Sequence, residues 1–285
     1  MTDEASAARR LSAGPRDGQR PAATANSGWP GFPPDPLAFR TWFQPVFLGS
    51  GSSRIRLFCF PHAGGAASTF RPWSTGVPDG LEIHAAQLPG RESRILERPI
   101  DRFDELIDRL TAAIEPAATD EFALFGHSAG ALIAWELARS LRRSGGPAPV
   151  HLFVSACQPP SNVRSSYRDL HELGDTELLA KLREMNGTPA EAMNNPELMR
   201  LVLPVIRSDL ALFADYDAAP GDILDCPVTV LGGARDPLVP PDALALWADA
   251  TSGEVKTRVL DGDHFYLTDP RSDVLGIIGK RLGLR

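Results

Sequence analysis

The 285-residue chain has only three cysteines, no apolar run of about 18 residues, and fewer basic than acidic side chains, 29 against 36. Each shortage excludes something. No two of Cys59, Cys157 and Cys226 stand at metal-ligand spacing, so no metal site is expected, and an odd number of thiols in or beside strand-like segments fits a reducing compartment. Without an apolar run of about 18 residues, no helical membrane span is expected. Arg9-Arg10 is not followed by an apolar core within residues 11–28, so no export signal is read there and the chain is expected to be cytoplasmic. The net charge of −7 argues against a nucleic-acid partner.

What is present is a chain long enough, and at 43% hydrophobic apolar enough, to bury a large core. Residues 1–36 have Leu11, Trp29 and Phe32 as their large apolar groups and are otherwise rich in Ala, Arg, Gly, Pro and Ser, the composition of a disordered extension. The folded domain is expected over 37–285, beginning with Phe39, Trp42, Phe43 and Phe47 packed on its surface. From residue 54 onward, strand-like runs at 54–60, 82–87, 123–125, 151–155, 228–231 and 256–260 alternate with helical patterns such as 103–114 and 131–143. That alternation predicts an α/β fold, a doubly wound, mostly parallel sheet covered by helices. About 70 residues separate the strand ending at Ala156 from the one near Pro227, far more than a simple crossover needs. Helical patterns at 175–184, 197–202 and 205–216, split by Gly187, Pro189, Pro196 and Pro204, predict an inserted helical lid over about 160–222. It would lie over the carboxyl ends of the strands, where such sheets place their sites.

Residues 122–130, Phe-Ala-Leu-Phe-Gly-His-Ser-Ala-Gly, run from a strand pattern through Gly-x-Ser-x-Gly into a helix former. A serine alcohol is a poor nucleophile at neutral pH, so Ser128 must be lifted onto a tight turn within reach of a base. The backbone N–H of Ala129, at the start of the helix, would then face a developing oxyanion. His264, in Gly262-Asp263-His264-Phe265 directly after the last strand, is placed to be that base. His84, His127 and His151 belong to strands and His171 to the lid. The carboxylate that orients the imidazole is expected between serine and histidine in the chain, and Asp236 fits, in Gly232-Gly233-Ala234-Arg235-Asp236-Pro237 after a strand. Asp261 and Asp263 are nearer in sequence, but neighbours on a short loop seldom face the same imidazole edge. Pro61-His62-Ala63-Gly64-Gly65 supplies a second loop at a strand end, with the Ala63 N–H as the other oxyanion donor.

Several segments together resemble the type II thioesterases that accompany modular polyketide synthases and nonribosomal peptide synthetases. They are Leu57-Phe58-Cys59-Phe60-Pro61-His62-Ala63-Gly64-Gly65, Gln87-Leu88-Pro89-Gly90-Arg91-Glu92, Phe125-Gly126-His127-Ser128-Ala129-Gly130-Ala131, Gly232-Gly233-Ala234-Arg235-Asp236 and Gly262-Asp263-His264-Phe265-Tyr266-Leu267. The resemblance implies an α/β-hydrolase fold and a stand-alone hydrolase that removes aberrant or stalled acyl groups from the phosphopantetheine arm of acyl or peptidyl carrier-protein domains. It gives Ser128, Asp236 and His264 the triad positions, Ala63 and Ala129 the oxyanion positions, and no cofactor of the chain's own; a monomer is expected. Ala129 stands where many relatives have Met, and the extension before residue 37 is longer than usual. Ala129 is therefore expected to border the acyl chamber and to admit larger groups. Arg91, Arg94 and Arg98, which follow the strand at 82–87 on the active-site side, read either as a solvated basic loop or as contacts for an acidic carrier domain. The alternatives are a serine esterase or acyltransferase acting on small-molecule esters or acyl-CoA, and a catalytically silent recruiting module, against which the complete Ser, Asp and His set argues.

Overall fold

The computed structural model describes residues 36–49, 55–114, 118, 121–162, 169–184, 193, 195–214, 216, 223–269 and 273–284. The extension read at 1–36 lies outside them except for Pro36. Seven strands form one sheet: β1 (Phe43–Phe47), β2 (Ile55–Phe60), β3 (Leu81–Ala86), β4 (Phe122–His127), β5 (His151–Ser155), β6 (Val228–Gly233) and β7 (Val255–Leu260), in the order β1-β3-β2-β4-β5-β6-β7. All neighbours are parallel except β1 with β3. The inner strands are apolar on both faces, as parallel strands covered by helices must be. Phe58, Phe60 and Leu124 face a layer containing α2 (Phe103–Ile114) and α3 (Ala129–Arg143), whereas their neighbours Leu57, Cys59 and Phe125 face Phe70, Trp73 and Ile278 on the other side.

The six strands predicted from the sequence are all present, with ends within two residues of those expected. The first strand is a correction. Phe39, Trp42, Phe43 and Phe47 do not merely pack on the surface: α1 (Pro36–Trp42) leads into β1, where Trp42 and Phe43 are core residues and the Phe43 ring lies 5.1 Å from that of Phe58. Pro45 interrupts the alternation that would have revealed this strand, and its missing N–H is tolerated because β1 is an edge.

After β2 and β3 the chain crosses back to place β4 on the opposite side of β2. Loops leaving β2 and β4 therefore diverge from adjacent strand ends, the crevice in which open α/β sheets hold ligands. Two glycines make the approach possible. A Cβ on Gly126 would sit 2.1 Å from the Gly130 carbonyl oxygen, and one on Gly130 would sit 2.1 Å from that of Phe60.

Above these strand ends lie helices Asp175–Glu184 and Pro196–Ala211 from the predicted lid. The sequence reading broke the second at Pro204, but the helix runs through it. A proline inside a helix, through its lost hydrogen bond and ring clash together, costs about 3 kcal/mol or more, and burial of Met199, Leu203, Val205, Ile206 and Leu210 offsets this. The helix begins firmly, with Pro196 in its first turn and the Asn195 side chain accepting the Glu197 and Leu198 N–H groups at 3.1 Å each. No helix among the described residues is long and apolar enough to cross a membrane.

The contact at Gly126 yields a paired test. Gly126→Ala forces a methyl group onto backbone atoms, and we expect a melting temperature lower by roughly 10 °C or more. Gly145→Ala has open space around its new Cβ and a φ of +74°, so only backbone strain of about 1–2 kcal/mol applies, lowering the melting temperature by roughly 3–6 °C. Thermal melts of equal depth for the two variants would contradict this packing account.

Candidate active site

Ser128 joins β4 to α3 at φ 55° and ψ −122°, a conformation side chains rarely adopt and one that costs on the order of 1–3 kcal/mol. The strain is held by its surroundings: the Ser128 N–H donates to the Ser155 carbonyl at 2.7 Å, and the Ser128 carbonyl accepts from the Ala131 N–H at 2.9 Å. A serine at the start of a helix ordinarily turns its hydroxyl to the first helical N–H groups. Here the side chain makes no such cap, and Oγ lies 3.0 Å from Nε2 of His264. The amide end of α3, beginning with Ala129, keeps its positive potential for negative charge developing nearby.

His264 sits in the turn after β7, and its Nδ1 lies 2.8 Å from Oδ2 of Asp236, in the loop after β6. The other oxygen of Asp236 accepts the Leu238 and Val239 N–H groups at 2.8 and 3.1 Å, so the loop's own backbone fixes the carboxylate. Ser128, Asp236 and His264 are all buried, which strengthens these bonds relative to water. Asp261 forms an ion pair with Arg235, and Asp263 accepts the Phe265 N–H at 2.9 Å.

Other histidines surround the base without sharing its position. His127 directs Nδ1 to the Ser155 hydroxyl at 2.8 Å, with its ring 5.4 Å from that of His264. Burial, reinforced by the charges of His264 and Arg91, pushes the His62 imidazole down to about 4. Burial holds His127 well below the usual histidine range, with smaller contributions from His264 and His62. Both rings are therefore neutral near pH 7 and add no charge beside His264. His84 pairs with Glu82, and His151 lies 2.8 Å from the Thr229 hydroxyl; both are in the sheet, as expected. The three cysteines are buried and free, and burial pushes the thiols of Cys157 and Cys226 up to about 12.

Ser128 and His264 open into a cavity of about 420 Å³, which Ala63 also lines. Its apolar walls come largely from the lid, through Leu182, Leu198, Leu201, Val202 and Ile206. Two expectations need correcting. Ala129 is buried in the core and does not line this cavity, whose apolar walls the lid supplies. Arg91 and Arg94 are not surface contacts. Arg91 pairs with Asp209 through two bonds of 2.6 and 2.7 Å, and Arg94 pairs with Glu97 while its guanidinium lies 4.4 Å over the Trp42 ring. Carboxylates and carbonyls packed around each guanidinium compensate its burial. Arg98 alone of the three is exposed, at 85%. Asp209 escaped the sequence reading although a signal was there, an acid on the apolar stripe between Ile206 and Leu210. Among the described residues, no group of three or more His, Cys, Asp or Glu is arranged to hold a metal ion.

Residues 55–282 match the model of the thioesterase domain family. The chain is 36% identical over 243 residues to the gramicidin S biosynthesis protein GrsT of Aneurinibacillus migulanus, covering 85% of this chain and 94% of that protein. It is 39% identical over 237 residues to thioesterase PikA5 of Streptomyces venezuelae, covering 83% and 84%. The solved structure of the type II thioesterase BorB from the borrelidin biosynthetic cluster superposes with a TM-score of 0.75 at 36% identity, over 85% of this chain and 98% of that one. The mostly parallel sheet with flanking helices is the α/β-hydrolase architecture expected.

The buried imidazoles set a pH dependence. His62 and His151 titrate near 4 in the folded protein against an ordinary 6.5, so between these values the unfolded chain binds more protons. Their contribution to stability is complete above about pH 6.5 and is lost as pH falls toward 4. A lower denaturant midpoint at pH 5 than at pH 7.5 is the expected result; an equal or higher midpoint would contradict it.

Proposed function

The chain belongs to the thioesterase domain family, and from that membership and the geometry of its site we propose that it acts as a type II thioesterase. Its substrates would be aberrant or stalled acyl groups on the phosphopantetheine arms of acyl or peptidyl carrier-protein domains in polyketide or nonribosomal peptide biosynthesis. The observation that carries the reading is the hydrogen-bonded line Ser128, His264, Asp236, of which Ser128 and His264 line an apolar chamber.

In this reading His264 Nε2 takes the Ser128 proton as Oγ attacks the thioester carbonyl, and Asp236 holds the imidazole in the required tautomer and stabilises its charged form. The N–H groups of Ala63 and Ala129 receive the oxyanion. Collapse of the tetrahedral intermediate expels the phosphopantetheine thiol, protonated by His264, and leaves an acyl group on Ser128. Water, activated by the same imidazole, then releases the carboxylic acid and restores the serine. No cofactor enters these steps. The lid leucines and valines would take the acyl chain, each buried methylene being worth about 0.8 kcal/mol, or roughly fourfold in affinity.

The test compares an acyl-loaded carrier domain with an oxygen ester of the same acyl group. We expect the carrier thioester to be hydrolysed with the higher kcat/KM, Ser128→Ala to lose about 10⁴-fold or more, and Asp236→Asn to lose several powers of ten. Preference for the oxygen ester would favour a general esterase, and near-full activity of Ser128→Ala would remove the mechanism.

A further inference from the structure

The loop from Pro61 to Gly65 does not hold its shape alone. The Gly64 N–H donates to Asp209 Oδ2 at 2.6 Å, the Gly65 carbonyl accepts from Arg91 Nη1 at 3.1 Å, and the Gly65 N–H returns to the His62 carbonyl at 2.9 Å. Asp209 belongs to the lid helix Pro196–Ala211 and Arg91 to the loop after β3. Their bidentate pair thus joins three segments distant in sequence at one buried point, with Asp209 3% and Arg91 6% exposed. Arg91 is itself held, its Nε donating to the Pro89 carbonyl at 3.2 Å and its own carbonyl accepting from the Gln87 side chain at 2.8 Å. The helix also lies directly against the loop: a Cβ on Gly64, whose φ is +77°, would fall 2.4 Å from Cγ1 of Ile206.

We propose that Asp209 and Arg91 are positioning residues that make the oxyanion loop depend on the seated lid helix. The proposal rests on reading Ala63 as an oxyanion donor. Ala63 stands between His62, whose carbonyl closes the turn, and Gly64, whose N–H is anchored on the lid helix. Removing the acceptor at 209 frees that peptide to rotate and displaces the amide before it. Lifting the lid helix would do the same, so carbonyl polarisation is coupled to closure of the chamber. A donor must stand about 2.7–3.1 Å from the place the oxyanion will occupy to act, and misplacement of about 1 Å can cost on the order of a hundredfold in rate.

Two double variants separate positioning from simple stability. Arg91→Met with Asp209→Leu removes both charges and the acceptor for Gly64, leaving no stranded ion. Arg91→Met with Asp209→Asn also removes both charges but keeps an amide oxygen facing Gly64. With a small soluble acyl thioester, so that carrier docking does not enter, the leucine variant is expected to lose about a hundredfold in kcat with KM changed less than about threefold. The asparagine variant is expected to regain about tenfold of that loss. Equal kcat in the two variants, or a loss confined to KM, overturns the proposal. If the leucine variant does not fold, Arg91→Met with Asp209→Ala, which also lacks the acceptor and strands no ion but adds less bulk, takes its place in the comparison. Ser128→Ala, measured alongside, keeps the readings apart: hydrolysis that survives it removes the reading of the whole site, whereas Ser128-dependent hydrolysis indifferent to residue 209 removes only the coupling.

Discussion

A serine held at φ 55° between a strand and a helix is the constraint on which the rest of the structure depends. That conformation is unfavourable for any side chain and persists because the surroundings leave no alternative. Gly130 lets the first turn of α3 press against the end of β2, Gly126 lets β4 pass beneath that turn, and Ser155 on β5 receives the serine amide. The elements that enforce the strain are the central strands of the sheet, where local stability is greatest. The same geometry aims the hydroxyl away from the helix cap it would otherwise make, toward His264, and leaves the amide end of α3 for the reacting carbonyl.

The sheet order explains why so few loops suffice. Reversal at β2 and β4 brings the Ala63 loop beside the Ser128 turn, while β6 and β7, paired in parallel, bring Asp236 and His264 to the same edge. The lid is then tied down by polar bonds rather than by apolar packing alone. Tyr216 donates to Glu136 on α3 at 2.6 Å and Ser208 to the Ile100 carbonyl at 3.1 Å, beside the Arg91 and Asp209 pair, while within the lid Arg207 donates to the His171 carbonyl and Asp175 at 2.7 Å each. Directional bonds of this kind fix where a helix sits more narrowly than apolar contact does, because each misplacement leaves a desolvated group unpaired.

The parts legible in the sequence were those with local signatures. Ser128 lies in a glycine-framed turn between a strand pattern and a helix pattern, and Asp236 and His264 lie in loops directly after strands, so their residue types and chain order carried them. The helices at 103–114 and 175–184 coincide with the elements found because their periodicity is uninterrupted. Strand β1 was hidden by Pro45, and the continuity of Pro196–Ala211 by Pro204, where tertiary burial outweighs a local rule. The Arg91 and Asp209 pair spans 118 residues, and no local pattern links the two. Ala129 was misplaced for a related reason: which side chains face the chamber depends on where the lid helices settle, and that is decided by contacts remote in the chain.

The central claim is that Ser128 becomes the carrier of the acyl group. Rapid quenching after mixing with an acyl-loaded carrier domain, followed by digestion and mass spectrometry of the peptide holding Ser128, tests it directly. The account predicts an acyl adduct on Ser128 that appears within the first turnover and disappears as free acid accumulates. Hydrolysis with no adduct on that peptide, or an adduct on another residue that turns over at the catalytic rate, would contradict it.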